Sequence, residues 1–240
     1  MYASIALSIC LALSAEPPAA GTTPGAAALR PDPGWRELGR SLWFDPTGKR
    51  VILRARVVLR EGQLEHLMCK KGTKEHEAIV ATDAPPRGIH AALLLTGAEP
   101  GHPVQFVPKF APPAGTAIAI EFLWQQEGEL RKTDARQWVW DEKTKAPLGI
   151  DWVFGGSLIY EDPVTKKATY AAEEGDLITV ANFASAILDL PIASSANDAE
   201  RVFSAHTAQI PPIGTEVFVS LSPRRATAVE QTDKGANRKP

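Results

Sequence analysis

Twenty prolines interrupt this 240-residue chain, in both flanks and between short apolar runs. Proline fixes φ and removes a backbone donor, so it bounds helices and sits poorly inside central strands. A chain punctuated this way folds through short strands and loops rather than a helical bundle. The runs fit that constraint. "VILRARVVL" (51–59), "TAIAIEFLW" (116–124) and "TEVFVSL" (215–221) are rich in β-branched and aromatic residues, as strands are. Shorter runs at 63–69, 77–82, 103–107, 152–160, 176–182 and 201–207 read the same way.

One helix is well marked. Asp83 is a candidate cap, Pro85 and Pro86 suit a first turn, and Gly97 follows the end. Between them Ile89, Ala92, Leu93 and Thr96 form one stripe, with His90 off it and facing solvent. The expected fold class is α+β: a β-rich mixed-sheet domain with a few short helices. A weak echo sets "PPAGTAIAI" at Pro112 over "PPIGTEVFV" at Pro211, 99 residues on, and "GIHAALL" at Gly88 over "ASAILDL" at Ala184. It admits two readings, two similar half-domains or ordinary turn chemistry before a strand.

The flanks differ from the middle. "MYASIALSICLALSA" is apolar, ends in small residues and is too short to span a bilayer as a helix, so residues 1–15 read as a signal peptide. Lipidation at Cys10 is disfavoured, because Ile9 stands where a small residue is needed. Residues 16–34 read as a Pro/Ala-rich linker, 35–221 as the globular domain and 222–240 as a polar tail. The expected location is outside the cytoplasm: periplasm, cell envelope or medium. With the signal removed, Cys69 is the only thiol and no internal disulfide can form. Net charge is −2, which gives no basic field for nucleic acid.

The densest chemistry is "CKKGTKEHEAI" (69–79). It reads as a polar hairpin turn at Lys71, Gly72 and Thr73 that joins two strands. His76 and Glu77 lack the second histidine of a zincin motif, Val80 standing in its place. Cys69 and His76 supply at most two metal ligands, so no metal and no cofactor are assigned. A thiol nucleophile paired with His76 would need a lowered thiol pKa, which Lys70 and Lys71 could supply. The bland alternative is a buried thiol and a solvated turn. Downstream, Trp138, Trp140, Trp152 and Phe154 are closely spaced; alternation puts Trp138 and Trp140 on one strand face. Gly155, Gly156 and Ser157 suggest a bulge. No phosphate-binding or dinucleotide fingerprint occurs in the sequence.

Four stretches together, "LREGQLEHLMCKKGTKEHEAIV", "WVFGGS", "GDLITVANFASAILDLP" with "SSAND", and "IPPIGTEVFVSLSP", resemble the YdjY-domain family of bacterial, planctomycete-like exported proteins of unknown function. The resemblance covers roughly residues 45–223. It implies no catalytic residue. The cysteine clusters that mark some members as ferredoxin-like are absent, so it implies no iron–sulfur centre. It draws attention to Lys71, Gly72, His76, Glu77, Trp152, Phe154, Gly155, Gly156, Ser157 and Asn182.

The resulting expectation is an exported binding or interaction domain for an unknown envelope protein or small ligand, with no membrane span in the mature chain. Its candidate binding residues are Cys69, Lys70, Lys71, His76, Glu77, Trp152, Phe154, Ser157 and Asn182. Two alternatives stay open: a thiol-dependent enzyme or redox protein using Cys69 and His76, and a purely structural envelope component.

Overall fold

The computed structural model describes residues 29–161, 163–194 and 202–224. The signal segment, Cys10, most of the linker, Asp162 and the tail beyond residue 224 lie outside the described residues. At the two boundaries, Leu29 packs with Trp43, Ile52 and Phe218, and Pro223 ends a strand. Ordered packing therefore reaches past both Trp35 and Leu221.

Eight strands form one closed ring. They are β1 (Arg50–Val57), β2 (His66–Lys70), β3 (Ala78–Thr82), β4 (Ala117–Gln126), β5 (Trp152–Phe154), β6 (Asp176–Thr179), β7 (Leu188–Asp189) and β8 (Glu216–Pro223). Their order round the ring is β1–β8–β4–β5–β7–β6–β2–β3, and β3 returns to β1 through Arg56 opposite Ala81 and Val57 opposite Val80. Closure is possible because two long strands each serve two partners on one side. β1 pairs with the strand Leu42–Asp45 along its first half and with β3 at its end. β4 pairs with β5 at its start and with the strand Glu129–Asp134 further on.

Period-2 patterning fills the barrel. Ile118, Ile120, Phe122 and Trp124 of β4 point inward, and the residues between them are only partly buried. Val217, Val219 and Leu221 of β8 meet Val51, Leu53, Ala55 and Val57 of β1 in the same core. The one α-helix among the described residues, α1 (Pro86–Leu95), buries Ile89, Ala92 and Leu93 and packs on β1 and the strand Leu42–Asp45. Among the described residues no helix is long and apolar enough to cross a membrane.

The expected α+β class is therefore corrected to a mostly β fold, with 43% strand and 11% helix around a closed eight-stranded barrel. Seven of the eight ring strands were legible one by one, β7 lying in the run that the echo lays over α1, but ring closure is a long-range pairing that no local pattern encodes. The two-half-domain reading falls with it. One ring takes strands from both halves, and residues 184–190, which the echo lays over α1, form a turn and β7.

Other local expectations also change. Asp83 does not cap α1; its carboxylate lies 2.6 Å from Arg40, and Pro85 holds the cap position. The run 103–107 is a loop with one isolated bridge, Gln105 to Ala111. Trp138 ends a 3-10 turn and stacks on Phe122 at 3.9 Å, whereas Trp140 lies in the next strand against His206, so the two do not share a face. His90 is half-buried rather than facing solvent freely: its Nδ1 lies 2.9 Å from Tyr170 Oη and its ring meets Phe154 edge-on.

Candidate functional site

The stretch 69–79 is not a hairpin. β2 and β3 run parallel, His66 opposite Ala78 and Lys70 opposite Thr82. Parallel neighbours ordinarily need a crossover of a dozen or more residues. Here only residues 71–77 make it. They do so by a tight turn at Gly72 (φ +79°), whose N–H donates to Glu75 Oε1 at 2.8 Å, and a 3-10 turn at Glu75–Glu77. The crossover presses against Gly175 (φ +128°), where a Cβ would strike the Thr73 side chain.

This geometry separates the expected thiol–imidazole pair. Cys69 is fully buried with Ala78 and Ala81, and burial pushes its thiol up to about 11. His76 rides on the 3-10 turn with 77% of its side chain exposed, its Nε2 3.8 Å from Glu77. Lys70 points elsewhere, donating to the Glu173 carbonyl at 3.0 Å and its carboxylate at 3.2 Å. Lys71 is exposed and rims a shallow pocket of about 210 Å³ with Arg54, Asp83 and Glu216.

Of the other expected binding residues, Trp152, Phe154 and Asn182 are interior and Ser157 is half-buried. Trp152 is buried and donates its indole N–H to the Thr179 carbonyl at 2.8 Å. Phe154 is buried against His90. Ser157 donates to the Ser185 carbonyl at 2.6 Å and accepts from Ala172 N–H. Asn182 donates to both Asp189 oxygens at 3.2 Å and accepts from Ser194 N–H. Among them only Glu77 shares a cluster with the residues that make the site.

That site lies where the two parallel pairs meet, since β6–β7 is also parallel and β6 pairs antiparallel with β2. Asp176 opens β6 and His66 opens β2. His66 Nε2 lies 2.8 Å from Asp176 Oδ1, with the imidazole wholly inaccessible. Lys74 Nζ lies 3.1 Å from the same oxygen, and Ser185 Oγ donates to Asp176 Oδ2. The Phe183 ring stacks on His66 at 5.2 Å, and Lys74 Nζ lies over the same Phe183 ring, 4.9 Å from its centre. Burial pushes the Asp176 carboxyl up, but the bonds from His66 and Ser185 and the Lys74 charge outweigh it and hold the group at about 2.

An ionised carboxylate only accepts, so His66 Nε2 carries the hydrogen toward Asp176. In the tautomer with its hydrogen on Nε2, the imidazole keeps its lone pair at Nδ1. That atom is buried and has no hydrogen-bond partner. Glu65, His66 and Glu77 each bring one ligand atom within 4.8 Å of the others. Backbone bonds fix their placement: Glu65 N–H donates to the Glu77 carbonyl at 3.1 Å, and the Glu65 carbonyl accepts from Val180 and Ala181. Ser185 Oγ bonds Asp176 rather than the imidazole. What the His66–Asp176 pair offers is an oriented, basic nitrogen flanked by two carboxylates.

A second buried carboxyl lies nearby. Burial pushes Asp189 up to about 7 against the opposing bonds from Leu190 N–H and Asn182.

Sequence reasoning passed over Glu65, His66, Lys74, Asp176, Phe183 and Ser185. A signal was present. Ionisable residues inside runs that bury completely, "LEHLMC" and "DLITV", are rare without a partner. Pairing them needed the β2–β6 register, which spans 110 residues of sequence.

A family model for the YdjY domain matches residues 42–222. No curated protein and no solved structure matches the chain.

Proposed function

We propose that this chain, which belongs to the YdjY-domain family, is an exported binding domain whose ligand enters at the His66–Asp176 cluster. One observation carries the reading: His66 Nδ1 is a buried polar atom without a partner, held in an otherwise satisfied network. An unsatisfied buried acceptor costs about 1–3 kcal/mol. A barrel needing only stability would carry an apolar side chain there. Retaining an anchored imidazole makes sense if a ligand completes it. The segments that reach the cluster from outside are the crossover and its Lys74 side chain, which is 29% exposed. Export rests on the apolar start "MYASIALSICLALSA".

The test is expression of the full chain from its own first residue in a Gram-negative host, followed by fractionation and native mass spectrometry. The expected result is protein in the envelope fraction, shortened near Ala15, carrying a bound species that His66→Gln removes. Protein retained in the cytosol at full length would overturn export. Identical masses for native and denatured wild-type protein, with no species taken up on incubation with envelope extract, would overturn binding.

A further inference from the structure

The geometry points to a divalent transition-metal ion, zinc-like in its preferences, as the species held by Glu65, His66 and Glu77. This deepens the binding reading above and rests on it. The three side chains bring one nitrogen and two carboxylate donors within 4.8 Å of one another. His66 Nε2 is engaged by Asp176, so Nδ1, buried and unpartnered, is the nitrogen free to bind. A metal-binding histidine characteristically donates its second ring N–H to a carboxylate, which sets the tautomer and aims the lone pair. The Asp176–His66 bond is that arrangement, and Ser185 and Lys74 hold Asp176 in turn.

The donor set selects the ion. Imidazole with carboxylates suits zinc and its first-row neighbours, whereas an all-oxygen shell would suit calcium or magnesium. Bond lengths of about 2.0–2.2 Å to the ion bring donors closer together than 4.8 Å, so the side chains contract by about 1 Å on binding. His66 cannot supply that movement, because Phe183 stacks on it and Asp176 pins it. Glu77 can: it ends the crossover and its side chain is 13% exposed. Three protein donors leave a fourth position for water or a further ligand. The competing occupant of the pocket is a water molecule hydrogen-bonded to Nδ1.

The experiment uses the full chain without an added histidine tag, stripped with chelator and titrated with Zn²⁺ and with Co²⁺ as a coloured stand-in. About one equivalent should bind, with visible cobalt absorption and a higher melting temperature. Glu77→Gln and Glu65→Gln should each weaken binding at least about tenfold. Glu99→Gln, an exposed acid on another segment, should leave it unchanged. In wild-type protein, long-range proton–nitrogen spectra should show the His66 Nδ1 signal move on adding Zn²⁺, a readout that does not depend on any variant folding. An unmoved Nδ1 signal at millimolar Zn²⁺ overturns the metal, as does equal weakening by Glu99→Gln and Glu77→Gln. If the envelope-purified chain instead holds an organic molecule that depends on His66, the metal is overturned while the binding reading stands. If neither metal nor molecule binds, both fall.

Discussion

Asp176 Oδ1 lies 2.8 Å from His66 Nε2 in a barrel interior that gives the imidazole no solvent contact. Asp176 accepts from Ser185 as well and pairs with Lys74, so removing its carboxylate strands several donors at once. Asp176→Ala should cost about 3–5 kcal/mol, the usual penalty for breaking a buried pair from one side. Lys74→Ala removes a partly exposed partner and should cost under about 1 kcal/mol. Urea unfolding of the two variants measures both. Equal losses would mean that the ammonium, not the imidazole, holds the carboxylate.

Cys69 should be chemically quiet. Its thiol is buried and pushed up to about 11, so very little thiolate exists at pH 8. Alkylation in a Cys10→Ser background should proceed only as fast as the barrel opens, and become immediate in denaturant. Prompt labelling of the folded protein would restore the thiol-enzyme alternative.

Stability should fall between about pH 4 and about pH 7 because of Asp189. Burial raises its pKa from 3.8 to about 7, so over that window the folded chain holds a proton that the unfolded chain has released. A raised folded pKa contributes stability that is complete below the unfolded value and lost as pH climbs through the folded one. The loss is on the order of 4 kcal/mol at most. Asp189→Asn should flatten this part of the pH profile, as read by chemical denaturation in a buffer series. A wild-type profile that rises steadily from pH 4 to 7 and is unchanged by the substitution would contradict the assignment.

Gly175→Ala should be costly for a backbone reason. Gly175 sits at φ +128°, outside the range of L side chains, and an added Cβ meets Thr73. A loss of at least about 1–2 kcal/mol is expected. Pairing it with Thr73→Ala, which removes the hydroxyl that an added Cβ meets first together with that hydroxyl's bond to the Lys70 carbonyl, should recover part of the collision and none of the strain. Thermal unfolding of the single and double variants separates the two contributions.

Phe122→Ala tests the barrel core. Its ring stacks on Trp138 at 3.9 Å, and both are fully buried. The expected cost is about 3–5 kcal/mol, measured by the same urea transitions.

The amino-acid sequence by itself determined seven of the eight ring strands, helix α1 and the break at Gly155–Ser157. Each follows from a period or a turn residue readable within about ten positions. It also determined that Glu65, His66 and Asp176 sit inside apolar runs, although not that they face one another. The tertiary structure decided that β2 and β3 run parallel across a seven-residue crossover, which parted Cys69 from His76. It decided too that β3 returns to β1 to close the ring, and that register sets His66 against a carboxylate 110 positions away. The physical reason is that side-chain periodicity reports which residues are buried, whereas strand order and register come from hydrogen bonds between distant segments, and the site exists only at that level.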